Sequence, residues 1–299
     1  MQQTARVKVR KKRSNLETQN IGYLLIAPNF IIYIVFIFIP IFWTIGLSFT
    51  DYDLSTANFV GLDNYINLFR DSIFLKALWN TVRYTLMSLP LGMVIGLCLA
   101  LLINKKFTGR AFYRAVFYLP QIVSLTAASL AWLYLMSDNG ILNMLLRQLG
   151  MGKISWLSDP GMALVSIVIL SLWMQSGYNM LLFLSGLQSI PEHLYEAAQI
   201  DGANNRQAFL HVTIPQLAPT TFFVFVMSCI HSFQVFGQVY MMTGGGPDNS
   251  TTTLAHQVYT NAFQYYKMGY GSAMAVVLLL IILLMTLINF KFGNTEGGE

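Results

Sequence analysis

The sequence predicts an all-α polytopic membrane protein with six transmembrane helices. Of the 299 residues, 55% are hydrophobic and only 10% are charged, whereas an average soluble domain is about 25% charged. The charges are clustered, and the stretches between them are long and apolar. Six of these stretches reach the length of about 20 residues that crosses a bilayer. A soluble bundle of six buried helices is the disfavoured alternative.

The predicted spans divide the chain into a first helix and a larger core. The spans are residues 21–47, 84–103, 115–136, about 162–187, about 216–242 and 272–290. Around them we expect a basic tail (1–20), an external loop with an interfacial helix (48–79), a core of five spans (80–291) that includes a polar loop (188–215), and a C-terminal tail (292–299). The first apolar stretch is longer than the core of a signal peptide and lacks a cleavage pattern, so we expect a permanent span. Pro28 and Pro40 are expected to kink it.

The basic residues predict the orientation of the spans. Twelve of the 18 lysines and arginines lie on one side: Arg6, Lys8, Arg10, Lys11, Lys12, Arg13, Lys105, Lys106, Arg110, Arg114, Arg206 and Lys291. Because positive residues stay in the cytoplasm, both termini and the loop 188–215 are expected there. The basic tail is more typical of a topology signal than of a nucleic-acid-binding arm, and we expect no nucleic-acid partner.

The sequence offers no catalytic, metal or cofactor site. Cys98 and Cys229 both lie inside predicted spans, at a spacing that suits no metal. The glycine run in TGGGPDNSTT (243–252) lacks the lysine of a phosphate-binding loop. No carboxylate lies inside any span, although proton-coupled carriers place ionisable groups there. A channel, a secondary carrier and a membrane-bound enzyme are therefore disfavoured alternatives, and we expect an energy source in a separate subunit.

The stretch EAAQIDGAN is a polar segment between two apolar spans. Pro191 is typical of the first turn of a helix, and Gly202 of the position just past its end. A second short helix is predicted over about 204–212, so that the two helices form a knuckle in the cytoplasm. Helix periodicity alone favours an ordinary amphipathic surface helix.

The spacing of the knuckle distinguishes these possibilities. EAAQIDGANNRQAFLHVTIP resembles the cytoplasmic loop signature of binding-protein-dependent ABC importer permeases. The residues in register are Glu196, Ala197, Ala198, Gly202, Val212 and Pro215, and Ile214 stands where the family has leucine. The resemblance implies that this knuckle is a coupling helix that inserts into a separate ATPase subunit. The coupling residues that it implies are Glu196, Ala197, Ala198, Asp201 and Gly202.

Other stretches extend the resemblance over most of the chain. YLLIAPNF, FVGLDNYINLF, GRAFYRAVFYLP, LQSIPEHLYEAAQIDGA and MTGGGPDNST are similar to the carbohydrate-uptake class, in particular to the first permease subunits for maltose and glycerol-3-phosphate. The resemblance implies a type I ABC importer fold, with five core spans and an additional first helix. It also implies a bacterial cytoplasmic membrane, a second homologous permease, two ATP-binding subunits and an extracytoplasmic sugar-binding protein. The extra N-terminal spans and large periplasmic insert of the maltose permease are missing from this sequence.

Polar residues inside two spans are the candidates for substrate binding. Ser228, His231, Gln234 and Gln238 recur at spacings of three and four in the fifth span, and the fourth span contains Trp173, Gln175, Tyr178 and Asn179. The family resemblance implies a sugar site near these spans. Hydrogen bonding between helices is the alternative role. The lack of Lys or Arg within the later spans favours a neutral oligosaccharide, with a glycerol phosphate or another polar solute as the alternative.

Overall fold

The computed structural model describes residues 16–105 and 107–293, which divide into two units between Gly46 and Leu47. The described residues contain fifteen α-helices and three π-helical segments, and they contain no strand beyond an isolated bridge between Thr50 and Phe59. The all-α prediction is confirmed. Most of the predicted basic tail 1–20 and of the C-terminal tail 292–299 lies outside the described residues.

The first unit is one apolar helical rod. It consists of α1 (Leu16–Tyr33), a π-helical segment (Ile34–Phe38) and α2 (Ile39–Leu47). Its large apolar side chains are exposed from residue 23 onward, as expected of a helix that bilayer hydrocarbon covers. The helix continues through Pro28, and the π-helical segment ends two residues before Pro40. Since proline clashes with the carbonyl group four residues earlier, the wider π turn relieves the contact.

The second unit begins with a short helix, α3 (Asp63–Leu68), and a long one, α4 (Ser72–Asn104). The Asp71 carboxylate caps α4 by accepting a hydrogen bond from the backbone N–H of Ile73 at 2.8 Å. Because this cap starts the helix at Ser72, α4 extends well beyond the predicted span 84–103. Residues 72–79, which were predicted to belong to the external loop with its interfacial helix, are part of the same 33-residue helix.

The predicted third span, 115–136, is not one straight helix. α5 (Arg110–Ile122) and α6 (Leu125–Leu135) meet at a bend of 95°. Val123 and Ser124 adopt extended backbone between them. Pro120 contributes to the break because it donates no hydrogen bond to the last turns of α5.

The remaining helices follow the predicted order, with a second broken span. They are α7 (Ile141–Gln148), α8 (Ala163–Ser189), α9 (Glu192–Ile200), α10 (Asn205–Ala208), a π-helical segment (Phe209–Thr213), α11 (Ile214–Gln216), α12 (Ala218–Phe233), α13 (Gly237–Met242), α14 (Leu254–Tyr259), a π-helical segment (Thr260–Gln264) and α15 (Met268–Gly293). The predicted fifth span, 216–242, stops at Phe233. Thr253 Oγ1 donates to the Val235 carbonyl at 2.8 Å and stabilises this break.

The number of spans agrees with the prediction when the bent helices are paired. Four helices among the described residues are long and apolar enough to cross a membrane, and two bent pairs pass the same test together. These pairs are Arg110–Ile122 with Leu125–Leu135, and Asn205–Gln216 with Ala218–Phe233. With each pair counted as one span, the total is six.

The helix α8 is the centre of the second unit, with α4, α5 and α12 packed against it. Two glycines allow the closest approaches. A Cβ atom at Gly96 of α4 would lie 2.6 Å from the Cβ of Asn179, and one at Gly177 of α8 would lie 2.1 Å from the Phe117 carbonyl oxygen. Small residues commonly let membrane helices pack in this way.

We expect Gly177→Ala to destabilise the protein, because the added methyl group forces α5 away from α8. Overpacking of this kind costs about 1–3 kcal/mol. The measurement is the midpoint of thermal unfolding of the purified protein in detergent. Gly152→Ala is the matched control, since a Cβ there meets nothing within 4 Å. Equal midpoints for the two variants would contradict this packing.

The glycine-rich segment after α13 is a packed structural loop. The Asn80 side chain of α4 donates to the carbonyl groups of Asn249 at 2.9 Å and Thr252 at 3.0 Å. The Thr251 hydroxyl donates to the Gly246 carbonyl at 2.8 Å. These hydrogen bonds attach the segment to the N-terminal part of α4. Its polar groups therefore bind other parts of the chain and are not arranged around an anion.

Candidate functional site

Three helices of the second unit enclose a polar cavity of about 300 Å³. Its walls come from the end of α5, the middle of α8 and the middle of α12. The lining residues are Gln121, Gln175, Tyr178, Asn179, Met227, Ser228 and His231. Five of the eight residues that the sequence predicted for substrate binding, Gln175, Tyr178, Asn179, Ser228 and His231, are therefore brought together.

The packing of α8 fixes one wall of this cavity. Tyr178 and Asn179 lie three and four residues after Gln175, so the three side chains share a face of the helix. Asn179 is only 5% exposed, and it packs over the bare backbone of Gly96 in α4. A side chain at Gly96 would displace Asn179, so the glycine sets the depth of the wall.

Gln121 is the lining residue that sequence reasoning missed. The prediction of a continuous span over 115–136 gave this amide no special position. In the structure it precedes the 95° bend between α5 and α6, and it reaches the cavity beside α8 and α12. The available signal was an amide directly after Pro120 inside an otherwise apolar stretch.

Three predicted residues lie outside the cavity lining. The Trp173 ring packs against the Trp132 ring, with 5.8 Å between centroids. Gln234 follows the last residue of α12, and Gln238 belongs to α13. The expectation of one continuous polar stripe through Ser228, His231, Gln234 and Gln238 is wrong, because the helix ends before it reaches the two glutamines.

The lining of the cavity is polar and capable of many hydrogen bonds. Each amide of Gln121, Gln175 and Asn179 supplies two N–H donors and two acceptor lone pairs. Tyr178 and Met227 add apolar surface beside these groups. Within the part of the chain that the structure describes, no lysine, arginine, aspartate or glutamate lines the cavity. Such a surface can exchange hydrogen bonds with a neutral, polyhydroxylated solute.

The polar loop between α8 and α12 forms the predicted knuckle. α9 ends at Ile200, and Gly202 has a φ of +78°, the left-handed conformation that favours glycine. Asn204 then caps α10: its side-chain oxygen accepts from the backbone N–H groups of Arg206 at 3.1 Å and Gln207 at 3.0 Å. The two helices therefore meet at a fixed angle rather than through a loose loop.

The knuckle presents an open groove of about 440 Å³ on its surface. The lining includes Ala197, Ala198, Asp201 and Gly202, four of the five predicted coupling residues. Glu196 is exposed on the same helix, α9, and Ile200 is 86% exposed at its end. The hydroxyl groups of Tyr195 and Thr213 lie 3.0 Å apart and join α9 to the π-helical segment that leads into α11.

The chain matches a known family of membrane proteins over most of its length. Residues 88–293 match the family described as the binding-protein-dependent transport system inner membrane component, and the chain belongs to this family. It is therefore a permease subunit of an ABC transporter, and not an enzyme itself.

Individual relatives match over nearly the whole length of the chain. The probable ABC transporter permease protein YurN of Bacillus subtilis is 36% identical over 286 residues, which cover 93% of this chain and 98% of the relative. The arabinooligosaccharides transport system permease protein AraP of the same organism is 34% identical, covering 93% of this chain and 90% of AraP.

A solved structure shares the fold. The chain resembles one chain of a bacterial alginate ABC transporter in complex with an alginate pentasaccharide-bound periplasmic protein, with a TM-score of 0.81 and 23% identity, covering 94% of this chain and 96% of that one. The predicted type I importer permease fold is confirmed.

Proposed function

We propose that this permease moves a neutral oligosaccharide through an ATP-driven importer, and that the cavity between α5, α8 and α12 holds the sugar in transit. The observation that carries the proposal is a lining of amides, hydroxyls, one imidazole and apolar surface that, among the described residues, contains no Lys, Arg, Asp or Glu. Sugar hydroxyls leaving water need hydrogen-bonding partners, because an unpaired buried polar group costs about 1–3 kcal/mol. The arabinooligosaccharide relative supports the substrate class.

A glycerol phosphate is the second candidate, since the sequence also resembles permeases for that solute. Proteins usually bind a phosphate through arginine or lysine side chains, or through backbone N–H groups at a helix start. The cavity offers neither an arginine nor a lysine. The neutral sugar therefore fits the lining better.

The proposal includes the partners and the orientation of the chain. We place a second homologous permease beside it, two ATP-binding subunits on the cytoplasmic side and a sugar-binding protein outside, in a bacterial cytoplasmic membrane. The distribution of basic residues supports cytoplasmic termini. The knuckle of α9 and α10 then faces the ATP-binding subunits with its groove and with exposed Glu196.

A binding assay followed by uptake tests the substrate class. The cognate binding protein is titrated with a panel of neutral oligosaccharides, one acidic oligosaccharide and glycerol-3-phosphate, and the best ligand is then offered to the complete transporter in proteoliposomes. Selective binding and ATP-dependent uptake of a neutral oligosaccharide is the expected result. Preference for glycerol-3-phosphate or for the acidic sugar would overturn the proposal.

A further inference from the structure

Two arginines of α5 meet one amide of α8 at the end that leads into the knuckle. Gln188 lies in the last turn of α8, between the side chains of Arg110 and Arg114. Guanidinium groups only donate hydrogen bonds, so the amide oxygen must be the atom that faces them. In this orientation the oxygen accepts from Arg114 Nη2 at 2.9 Å and from Arg110 Nη2.

Among the residues that the structure describes, neither arginine has another polar partner that would explain its position. The Nε atoms of both are buried without a hydrogen bond, and the only ion pair among residues 16–105 and 107–293 joins Lys153 to Asp138. Both guanidinium groups belong to the first turns of α5, where the helix dipole disfavours positive charge. The end of α8 carries the opposite partial charge and stabilises them there.

The location of this cluster connects the two candidate sites. Gln188 is three residues before Pro191, after which the knuckle helix α9 begins. Arg110 and Arg114 begin the helix whose other end places Gln121 in the cavity. Along α8 itself, Gly177 holds α5 at backbone contact. A shift at the end of α8 therefore reaches α5 through one polar contact and one steric contact.

We propose that Gln188, Arg110 and Arg114 are positioning residues that transmit movement of the knuckle to α5, and through α5 to the cavity wall at Gln121. This inference rests on the proposed coupling role of α9. The amide oxygen holds both guanidinium groups, so α5 follows when the ATP-binding subunits displace α9 and the end of α8. Without the amide, α9 still moves, but the displacement of α5 becomes smaller.

Pulsed electron paramagnetic resonance on the complete transporter tests the inference. Cys98→Ala and Cys229→Ala remove the native thiols, and Leu284→Cys on α15 carries a reference spin label. The second label is placed on α9 (Gln199→Cys) or on α5 (Leu119→Cys), all three labelled positions being exposed. Each distance to the reference is measured with and without ATP and vanadate.

Gln188→Leu is compared with Gln188→Glu, which keeps an acceptor, and with Ser185→Ala, an exposed control on the same helix.

In Gln188→Leu we expect the ATP-dependent change at α9 to remain and the change at α5 to fall by about half or more. Gln188→Glu and Ser185→Ala are expected to retain both changes, and Arg114→Leu combined with Gln188→Leu should add little to the single variant. An undiminished change at α5 in Gln188→Leu would overturn the inference. An immobile α9 in the parent protein would instead count against the proposed coupling role itself.

Discussion

Glu196→Lys is expected to abolish ATP-driven uptake while leaving the permease in the membrane. Glu196 is exposed on α9, beside the groove that we propose as the docking surface for the ATP-binding subunit. The proposed docking would bury Glu196 against a positive group of the partner, and the loss of such a buried pair costs about 2–5 kcal/mol. This corresponds to a weakening of about 30-fold or more. Co-purification of the ATP-binding subunit and uptake in proteoliposomes measure the two effects.

A matched variant separates charge from a general disturbance of the helix. Glu192 is exposed in the first turn of the same helix, so Glu192→Lys is expected to preserve most of the uptake.

Gly202→Leu should uncouple transport because a side chain at φ +78° is strained, whereas Gly202→Asn, which tolerates this conformation, should retain coupling. Full uptake in Glu196→Lys and Gly202→Leu together would remove the coupling role from this knuckle.

Gln175→Ala and His231→Ala are expected to lower sugar uptake per assembled transporter by about 5- to 150-fold. Each substitution removes one hydrogen-bonding group from the cavity lining. A sugar hydroxyl without that partner loses about 1–3 kcal/mol in the cavity. Initial uptake rates, divided by the amount of intact complex, give the measurement.

Gln234→Ala is the control for this prediction. Gln234 was part of the same polar pattern in the sequence, but it is exposed and lies outside the cavity lining. We expect nearly unchanged uptake from this variant. If the cavity residues only join helices, Gln175→Ala and His231→Ala would lower thermal stability while uptake per complex stayed normal. That outcome would contradict the assignment of the cavity as the transit site.

Much of the architecture was predictable because the bilayer imposes a simple rule on composition. Long uncharged stretches between charge clusters gave the helices α4, α8 and α15 their approximate positions. The knuckle was also predictable, since Gly202 has few substitutes at a positive φ. Both signals are local, so a single sequence carries them.

The helix breaks were not predictable from local patterns because distant residues stabilise them. The break after Phe233 is held by Thr253, which follows 18 residues after Val235. Gly237 then passes close to Leu125 of α6, and a Cβ atom there would lie 2.3 Å from Leu125 Cδ2. The spacing of polar and apolar residues within 216–242 does not indicate these contacts. For the same reason Gln121 was missed and Gln234 was wrongly grouped with His231.

The π-helical segment Phe209–Thr213 has a consequence for how this chain can tolerate insertions and deletions. The Ile214 N–H binds the Phe209 carbonyl five residues back, so the segment contains one residue more than an α-helical path of the same course. Deleting a single residue there would leave an α-helical turn that follows the same course, so the helices on either side would keep their relative orientation. A one-residue deletion in the regular helix α12 would instead rotate everything on one side by about 100° relative to the other. We therefore expect a one-residue deletion in 209–213 to be far less damaging to transport than one in α12, with uptake per assembled transporter as the measurement.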